Sequence, residues 1–310
     1  MISRRTRLSA FSLSVGQSLL GMISILLLAR FEGASSAYAL FGQASALVAF
    51  STALIGVEAG RQHMVHLRLN KKADEAWTLV QNLFSLLVVA RIALSALLIL
   101  APASLLALLT NIDANEIDVN RGVMTLLGFE FLAQVLLDVA LFTALTRGWL
   151  IAGPATAFVI YALRLAGIVI LSNHALEGAL VGMIVGDLLG AAYILFRLFG
   201  RQEIAFLKPT LAPKRLVAAL RMALPTSVLG FFAGFIIWSR NYAVAEVADA
   251  KTVALFNYIN PLLMSVGLVF AIMLNTGEAI LVSDRERPLE ARKAMVLKGF
   301  TSGLAWALGS

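Results

Sequence analysis

Long apolar runs separated by short polar segments make up most of the chain. A helix that spans a membrane needs about 20 apolar residues, and eight runs reach that length. A ninth run begins near Ala294 and is still apolar at Leu308. The pattern predicts an all-α, polytopic membrane helix bundle with eight full transmembrane helices and the start of a ninth. The eight predicted spans are Leu8–Leu28, Tyr38–Val57, Ala76–Leu100, Val123–Leu145, Leu150–Leu171, Gly178–Leu198, Leu216–Trp238 and Val253–Leu274.

A charged, proline-containing segment divides the predicted helices into two groups. Gly200–Arg215 follows the sixth apolar run. We expect residues 1–199 to form a first six-helix lobe, residues 200–215 a cytoplasmic linker, and residues 216–310 part of a second lobe. Two such lobes are typical of many transporters. Because the second group is smaller, we expect the second lobe to continue beyond these residues.

The positions of the positive charges predict which way the helices run. Most of the 25 lysine and arginine residues fall in alternate connections, on the side that also holds the basic N-terminal segment. The opposite side holds only Arg30, Arg121, Arg240 and Lys251. Because the cytoplasmic connections of membrane proteins are enriched in lysine and arginine, we place the N-terminus in the cytoplasm.

The composition agrees with this picture and argues against several other classes of protein. The chain is 60% hydrophobic and 14% charged, whereas about a quarter of the residues in a soluble domain are charged. With a mean hydropathy of +0.87, a soluble enzyme and a disordered protein are poor matches. The net charge of +7 follows from the topology, so we predict no nucleic-acid partner.

Metal sites and cofactors have little support in the sequence. There is no cysteine, which excludes disulfides and cysteine-ligated metals. His63 and His66 are three positions apart, but no third ligand lies nearby in a fitting pattern. We therefore predict no metal ion and no cofactor.

One predicted span carries polar residues on a single face. Glu130, Gln134 and Asp138 follow each other at intervals of four positions in the fourth run, which places them along one side of a helix. Ionisable groups at membrane depth are costly and usually face a bundle interior or a wet cavity. From a helical rise of about 1.5 Å per residue, we expect Glu130 in the middle-to-outer part of the bilayer. Asp138 should lie deeper, towards the cytoplasm.

Three further charged residues lie inside predicted spans, and helical rise places them at the depth of Glu130. They are Arg91, Arg164 and Asp187. One interpretation is a central cavity in which the arginines bind an anionic substrate, because a planar guanidinium matches phosphate oxygens and stays charged. The other is structural: Arg91 and Arg164 neutralise Glu130 and Asp187. Both stay open, and all six polar residues are candidates for substrate binding.

Glycines recur at every fourth position of the sixth run. They are Gly178, Gly182, Gly186 and Gly190. Small residues at this spacing let helices approach closely, which predicts tight packing against a neighbouring helix.

Three predicted spans contain a proline, at Pro154, Pro225 and Pro261. Proline removes a backbone hydrogen bond and bends a helix. The pattern therefore predicts bends of the kind that are common in transporters.

The sequence contains no catalytic motif. Neither a Gly-x-Ser-x-Gly turn nor a glycine-rich phosphate loop is present, and we predict no catalytic residue and no enzyme. The outer segment Asn111–Asn120 carries Asp113, Glu116 and Asp118, which we interpret as a solvated loop rather than a calcium site. A membrane-embedded envelope ligase or acyltransferase stays an alternative, although the chain has no large outer loop to hold its site.

Four stretches carry a resemblance to a known family. Leu26–Phe50 and Ala53–Val65 contain an Arg-led linker after the first span and a glycine-containing aromatic stretch at the second. Ala219–Val244 opens the seventh span with Leu-Pro, and Ala254–Phe270 follows it. In these features the chain resembles the polysaccharide flippases of the multidrug/oligosaccharidyl-lipid/polysaccharide exporter superfamily.

The resemblance implies a fold, a function and partners. The fold has two six-helix lobes around a central cavity. The function is export of a lipid-linked oligosaccharide across the bacterial inner membrane, for the synthesis of lipopolysaccharide or another surface polysaccharide. An undecaprenyl-pyrophosphate-linked saccharide would be the substrate, membrane lipid the surroundings, and H⁺ or Na⁺ the coupling ion.

A cation-coupled multidrug exporter of the same fold is the alternative. Intramembrane arginines suit an anionic lipid pyrophosphate, whereas cationic drugs favour an acidic cavity. Here Arg91 and Arg164 face Glu130, Asp138 and Asp187, so the charge of the predicted cavity does not separate the two substrates.

Overall fold

Helices form almost the whole of the described part of the chain. The computed structural model describes residues 4–54, 73–146, 151–199 and 213–262, with the single positions 288, 290, 291 and 294, and contains no strand among them. The helices are α1 (Arg4–Phe31), α2 (Ser36–Leu54), α3 (Ala73–Leu100), α4 (Ala103–Thr110), α5 (Ala114–Val119), α6 (Arg121–Thr146), α7 (Ala152–Ile170), a 3₁₀ turn (Ser172–His174), α8 (Ala175–Phe199), α9 (Pro213–Val247) and α10 over residues 250–262.

A helix coincides with each of the eight apolar runs, although α10 is described only as far as residue 262. Three described stretches are long and apolar enough to cross a membrane: Ser12–Phe31, Ala152–Ile170 and Ser172–Arg197. The bent pair Val88–Leu100 and Ala103–Thr110 would make a fourth. The all-helical prediction is therefore confirmed. The total number of spans and the division into lobes stay predictions, and the ninth run and most of the linker lie outside the described residues.

A tight turn reverses the chain between α1 and α2. Gly33 adopts a φ of +61°, a left-handed conformation that glycine reaches without steric cost. Directly after it, the backbone N–H of Tyr38 donates to Oγ of Ser35 at 3.1 Å. Because this hydroxyl accepts from one of the free N–H groups of the first turn, α2 begins at Ser36, directly after the turn.

The segment Asn111–Asn120 contains a short helix where we expected a loop, and its Asp113, Glu116 and Asp118 side chains are exposed as expected. Asn111 ends α4 with a φ of +55°, and Asp113 caps α5 by accepting from the N–H of Asn115 at 2.8 Å. Ile117 of α5 is fully buried in the core. A helix can be recognised in a sequence when several apolar residues recur at helical spacing. This short helix buries only Ile117, so the sequence shows no such pattern.

Pro154 lies in the first turn of α7. The N–H groups of a first turn have no partner within the helix, so the missing N–H of Pro154 breaks no hydrogen bond, and the bend that we expected there is unnecessary. Pro225 lies inside α9, which continues on both sides of it.

The glycine ladder brings α8 against α7, and this prediction is confirmed. A Cβ atom on Gly178 would collide with the carbonyl oxygen of Gly167, and one on Gly182 would collide with that of Leu163. The two backbones are therefore in direct contact. Around this pair, α8 also packs on α6, α7 packs on α1, and α3 packs on α6.

One end of the bundle carries the α1–α2 turn, α4, α5 and the turn between α9 and α10; we call it the Gly33 end. The largest apolar core lies here and joins residues of α1, α2, α3 and α4 with Val253 and Ala254 of α10. On the same side, α9 packs against α2 and α3. The predicted topology places this end outside the cell.

Candidate functional site

Arg91 of α3 binds two polar residues of α6. Its Nη1 donates to Oε1 of Gln134 at 2.6 Å, and its Nη2 donates to Oδ2 of Asp138 at 3.4 Å. The guanidinium also lies 5.6 Å from the centre of the Phe131 ring, within the range of a cation–π interaction. Arg91 is only 5% exposed, whereas the Asp138 side chain is 35% exposed. The predicted polar stripe of α6 therefore meets a buried arginine.

These hydrogen bonds differ from the pairing that we expected. Arg91 donates to Gln134 and Asp138, not to Glu130. The contact with Asp138 was not expected, because helical rise alone places Asp138 deeper than Arg91. Rise along a helix axis takes no account of the length of an arginine side chain, which can reach an acceptor at another depth.

Two buried carboxyl groups lie close to this pair. Glu130 of α6 and Asp187 of α8 are each 2% exposed, and the two helices pack together. The Glu130 carboxyl interacts electrostatically with Asp187, Arg91, Arg164 and Asp138. The structure thus brings all the predicted site residues into one group. We call it the charged cluster: Arg91, Glu130, Gln134, Asp138, Arg164 and Asp187.

Three polar atoms of the charged cluster are buried without a hydrogen-bond partner among the described residues. They are Oδ2 of Asp187 and the Nε atoms of Arg91 and Arg164. Buried polar atoms are nearly always paired, and an exception calls for an explanation such as a function or a bound ion. The unpaired oxygen of Asp187 can take up a proton or accept a hydrogen bond, whereas each arginine Nε–H can only donate a hydrogen bond to a further group.

The charged cluster contains one more acid than base. Three carboxyl groups face two guanidinium groups, and an uncompensated charge is costly in a buried site. A proton or a cation would remove this excess. Among the described residues, no group of three or more His, Asp or Glu side chains is placed to hold a metal ion. His174 ends the 3₁₀ turn and is exposed, and His63 and His66 lie outside the described residues.

Sequence reasoning missed two aromatic residues beside the cluster. The guanidinium of Arg91 lies over the ring of Phe131. The hydroxyl of Tyr38 interacts electrostatically with Arg164. Phe131 adjoins Glu130 in the sequence, but an aromatic residue in an apolar run gives no signal of its own. A tyrosine at the start of a span is a weak signal, since its polar end needs a partner when it is buried.

Comparison with known proteins identifies the fold. No protein-family model and no curated protein matches the sequence. Among solved structures, the MATE multidrug transporter DinF-BH in complex with rhodamine 6G aligns with a TM-score of 0.64 over 97% of this chain and 70% of that chain, at 14% identity. A structure described as protein A aligns with a TM-score of 0.62 over 91% of this chain, at 14% identity, and the present chain spans 65% of its length.

At 14% identity, these similarities show that the chain shares the helical fold of the two structures. They do not single out the polysaccharide flippases that the sequence resembles. Several described apolar helices are long enough to cross a membrane, which agrees with the multi-pass membrane protein that the sequence predicts.

Proposed function

We propose that this chain is part of an ion-coupled exporter of the bacterial inner membrane, with the charged cluster as its proton site. The observation that carries the proposal is the buried excess of acid in the cluster, which includes an unpaired oxygen on Asp187. Ionisable residues inside a membrane protein commonly form proton relays in pumps and transporters. The fold shared with a MATE multidrug transporter supports transport rather than catalysis.

The contacts of Arg91 argue against it as the main site for an anionic substrate. Its Nη1 and Nη2 groups already donate to Gln134 and Asp138, so a phosphate would have to displace both acceptors. Among the described residues, the Nε atom is unpaired in Arg91 and in Arg164 alike. A proton bound to an acid of the cluster would instead shift the balance between the carboxyl groups and these two arginines. The arginines then position the acids and compete with the proton.

A drug-like organic molecule is the substrate that we propose first. An acidic interior suits an organic cation, and the solved MATE transporter of this fold was in complex with rhodamine 6G. A lipid-linked oligosaccharide is the second candidate. It is favoured by the unpaired Nε of Arg164, because arginine is well suited to bind phosphate oxygens, and by the four stretches that resemble polysaccharide flippases.

Efflux measurements on the native protein test the proton site. We expect Glu130→Gln and Asp187→Asn each to reduce rhodamine efflux driven by a pH gradient at least 10-fold, because an amide cannot take up and release a proton. Glu116→Gln is the matched control: it makes the same change on an exposed residue of α5, and efflux should be unchanged. Efflux that keeps its dependence on the pH gradient in both cluster variants would contradict the proposal.

A second measurement separates the two substrates. Vesicles that hold the native protein are supplied with either rhodamine 6G or a fluorescent lipid-linked oligosaccharide. Gradient-driven movement of the rhodamine alone supports the multidrug proposal. Movement of the saccharide alone replaces it with the flippase, and in that case Arg164→Lys should lose flipping, since a point charge lacks the two-pronged fit to phosphate.

A further inference from the structure

Side chains from both halves of the chain bond to main-chain carbonyls across the Gly33 end. Oη of Tyr258 donates to the carbonyl oxygen of Gly33 at 2.9 Å. Nδ2 of Asn257 donates to that of Ala39 at 3.3 Å. In the opposite direction, Nε2 of Gln43 donates to the carbonyl oxygen of Asn241 at 3.0 Å. We call these three hydrogen bonds the polar latch. They join the α1–α2 turn and α2 to α9 and α10.

The surfaces around the polar latch fit closely. The rings of Tyr38 and Tyr258 stack with their centres 3.8 Å apart and their planes inclined by 10°. Gly42 provides the seat for Asn257: a Cβ at position 42 would overlap the Asn257 amide and lie 2.8 Å from its Cβ. Gln43, Asn257 and Tyr38 are all buried. This is therefore a defined contact with a glycine that admits one particular side chain.

The chemistry of the polar latch allows it to separate. Ala39 and Asn241 lie inside helices, where the amide four residues later already uses each carbonyl. When the halves move apart, those two carbonyls keep their helical bonds, and the carbonyl of Gly33, the side-chain amides and one hydroxyl can bond to water. A net hydrogen bond of this kind contributes modestly to stability. The α7–α8 contact is different, because backbone meets backbone at the glycine ladder and no side chain can rotate to loosen it.

Two more contacts close the same end. Nε1 of Trp238 donates to the carbonyl oxygen of Leu109 at 3.2 Å, and Nδ2 of Asn111 donates to Oε2 of Glu246 at 2.6 Å. Like the polar latch, they connect α9 with elements of the first lobe through side chains. The described contacts between the two halves thus include a cluster of separable polar bonds at the end that we predict to be external.

We infer that the polar latch is a gate that opens and closes the Gly33 end, with Asn257 leaving and re-entering the seat at Gly42. The inference rests on the proposed exporter, since a substrate released outside the cell must pass this end. The gate requires that the contact between Gly42 and Asn257 breaks and forms again in the membrane-embedded protein.

Thiol labelling tests that claim without any substrate. The chain has no cysteine, so single Asn257→Cys and Ala179→Cys variants of the native protein each present one thiol. Both positions are buried, at 6% and 2% exposed, and both lie near the end that we predict to be external, but Ala179 of α8 lies against the backbone of Gly167 of α7. In intact cells, a membrane-impermeant thiol reagent should label position 257 at least 10-fold faster than position 179. Equal and negligible labelling of both would overturn the inference, whether or not the protein proves to be an exporter.

Engineered disulfides test the consequence for transport. Gly42→Cys with Asn257→Cys joins the latch across a Cβ separation of 2.8 Å, and Gly190→Cys with Thr156→Cys joins the α7–α8 contact across 3.4 Å. Disulfides need about 3.5–4.5 Å, so both pairs require small outward shifts. Oxidation should abolish rhodamine efflux in the latch pair, with recovery on reduction, and leave the control pair active. Undiminished efflux by the fully oxidised latch pair would overturn the gate, whereas the proton-site variants test export separately.

Discussion

Alanine at Gly182 should push α7 and α8 apart. A Cβ there would collide with the carbonyl oxygen of Leu163 and lie 2.8 Å from the Cα of Arg164. Carbon atoms in contact normally sit about 3.5–4.0 Å apart, so the helices must separate by roughly 1 Å. Every obstructing atom belongs to the backbone of α7, and no change of rotamer can relieve the collision.

The size of the effect follows from a comparison with a glycine in open space. Overfilling a packed interface costs about 1–3 kcal/mol, while alanine by itself stabilises a helix interior by up to about 1 kcal/mol relative to glycine. Gly153 near the start of α7 has no atom within 4 Å of the point where a Cβ would lie, so Gly153→Ala shows the effect of the methyl group without the collision. The difference between the two variants isolates the cost of separating the helices.

Thermal unfolding of the purified protein in detergent measures this difference. One kcal/mol corresponds to about 2–4 °C in Tm for a chain of 150–250 residues, and somewhat less for a longer one. We expect the Tm of Gly182→Ala to lie several degrees below that of Gly153→Ala. If the two variants unfold at the same temperature, the backbones of α7 and α8 are not in contact at Gly182, and the interpretation of the glycine ladder is wrong.

Two further predictions concern the arginine of the cluster and the topology. Arg91→Ala should lower the abundance of the protein on immunoblots, because it leaves Gln134 and Asp138 without their donor and an unsatisfied buried group costs about 1–3 kcal/mol. Adding Asp138→Asn should restore part of the lost abundance. If the double variant is no more abundant than Arg91→Ala, Arg91 and Asp138 are not a structural pair. Single cysteines at Asn115 and Ser3 should react differently with an impermeant reagent in intact cells, and labelling at position 3 but not at 115 would reverse the predicted orientation.

The helices could be predicted from the sequence because lipid imposes a simple rule. A backbone in hydrocarbon must satisfy its own hydrogen bonds, so each long apolar run had to be a helix, and α1 and α8 begin within a few residues of the predicted positions. The rule fails for short elements. Ala103–Thr110 has only 8 residues and continues the apolar composition of α3, so nothing in the pattern marks it as a separate helix.

The site was predictable in its members but not in its contacts. Arg91, Glu130 and Asp187 could be identified because placing an ionisable side chain inside a membrane costs free energy, so such residues usually have a function or a partner. Which acceptor Arg91 reaches depends on tilts that no local pattern records. The hydrogen bonds of the polar latch could not be predicted from the sequence for a similar reason. Gln43 and Asn241 are 198 positions apart, and a single amide in an apolar run does not indicate its partner.

The bend between α3 and α4 has a consequence for the lipid around the protein. It turns the chain by 116°, so that, with α3 across the bilayer as we predict, α4 runs obliquely to it at the outer end. Leu105 and Leu108 of α4 are exposed while Leu106 is buried, so the short helix is held by the bundle on one side and offers leucines to acyl chains on the other. We therefore expect α4 to lie at the membrane interface, with its exposed leucines towards the acyl chains. In a thinner or thicker bilayer, α3 would have to tilt or the lipid would have to deform to keep α4 at that depth, and the thickness of the bilayer would then affect the position of Arg91 on α3.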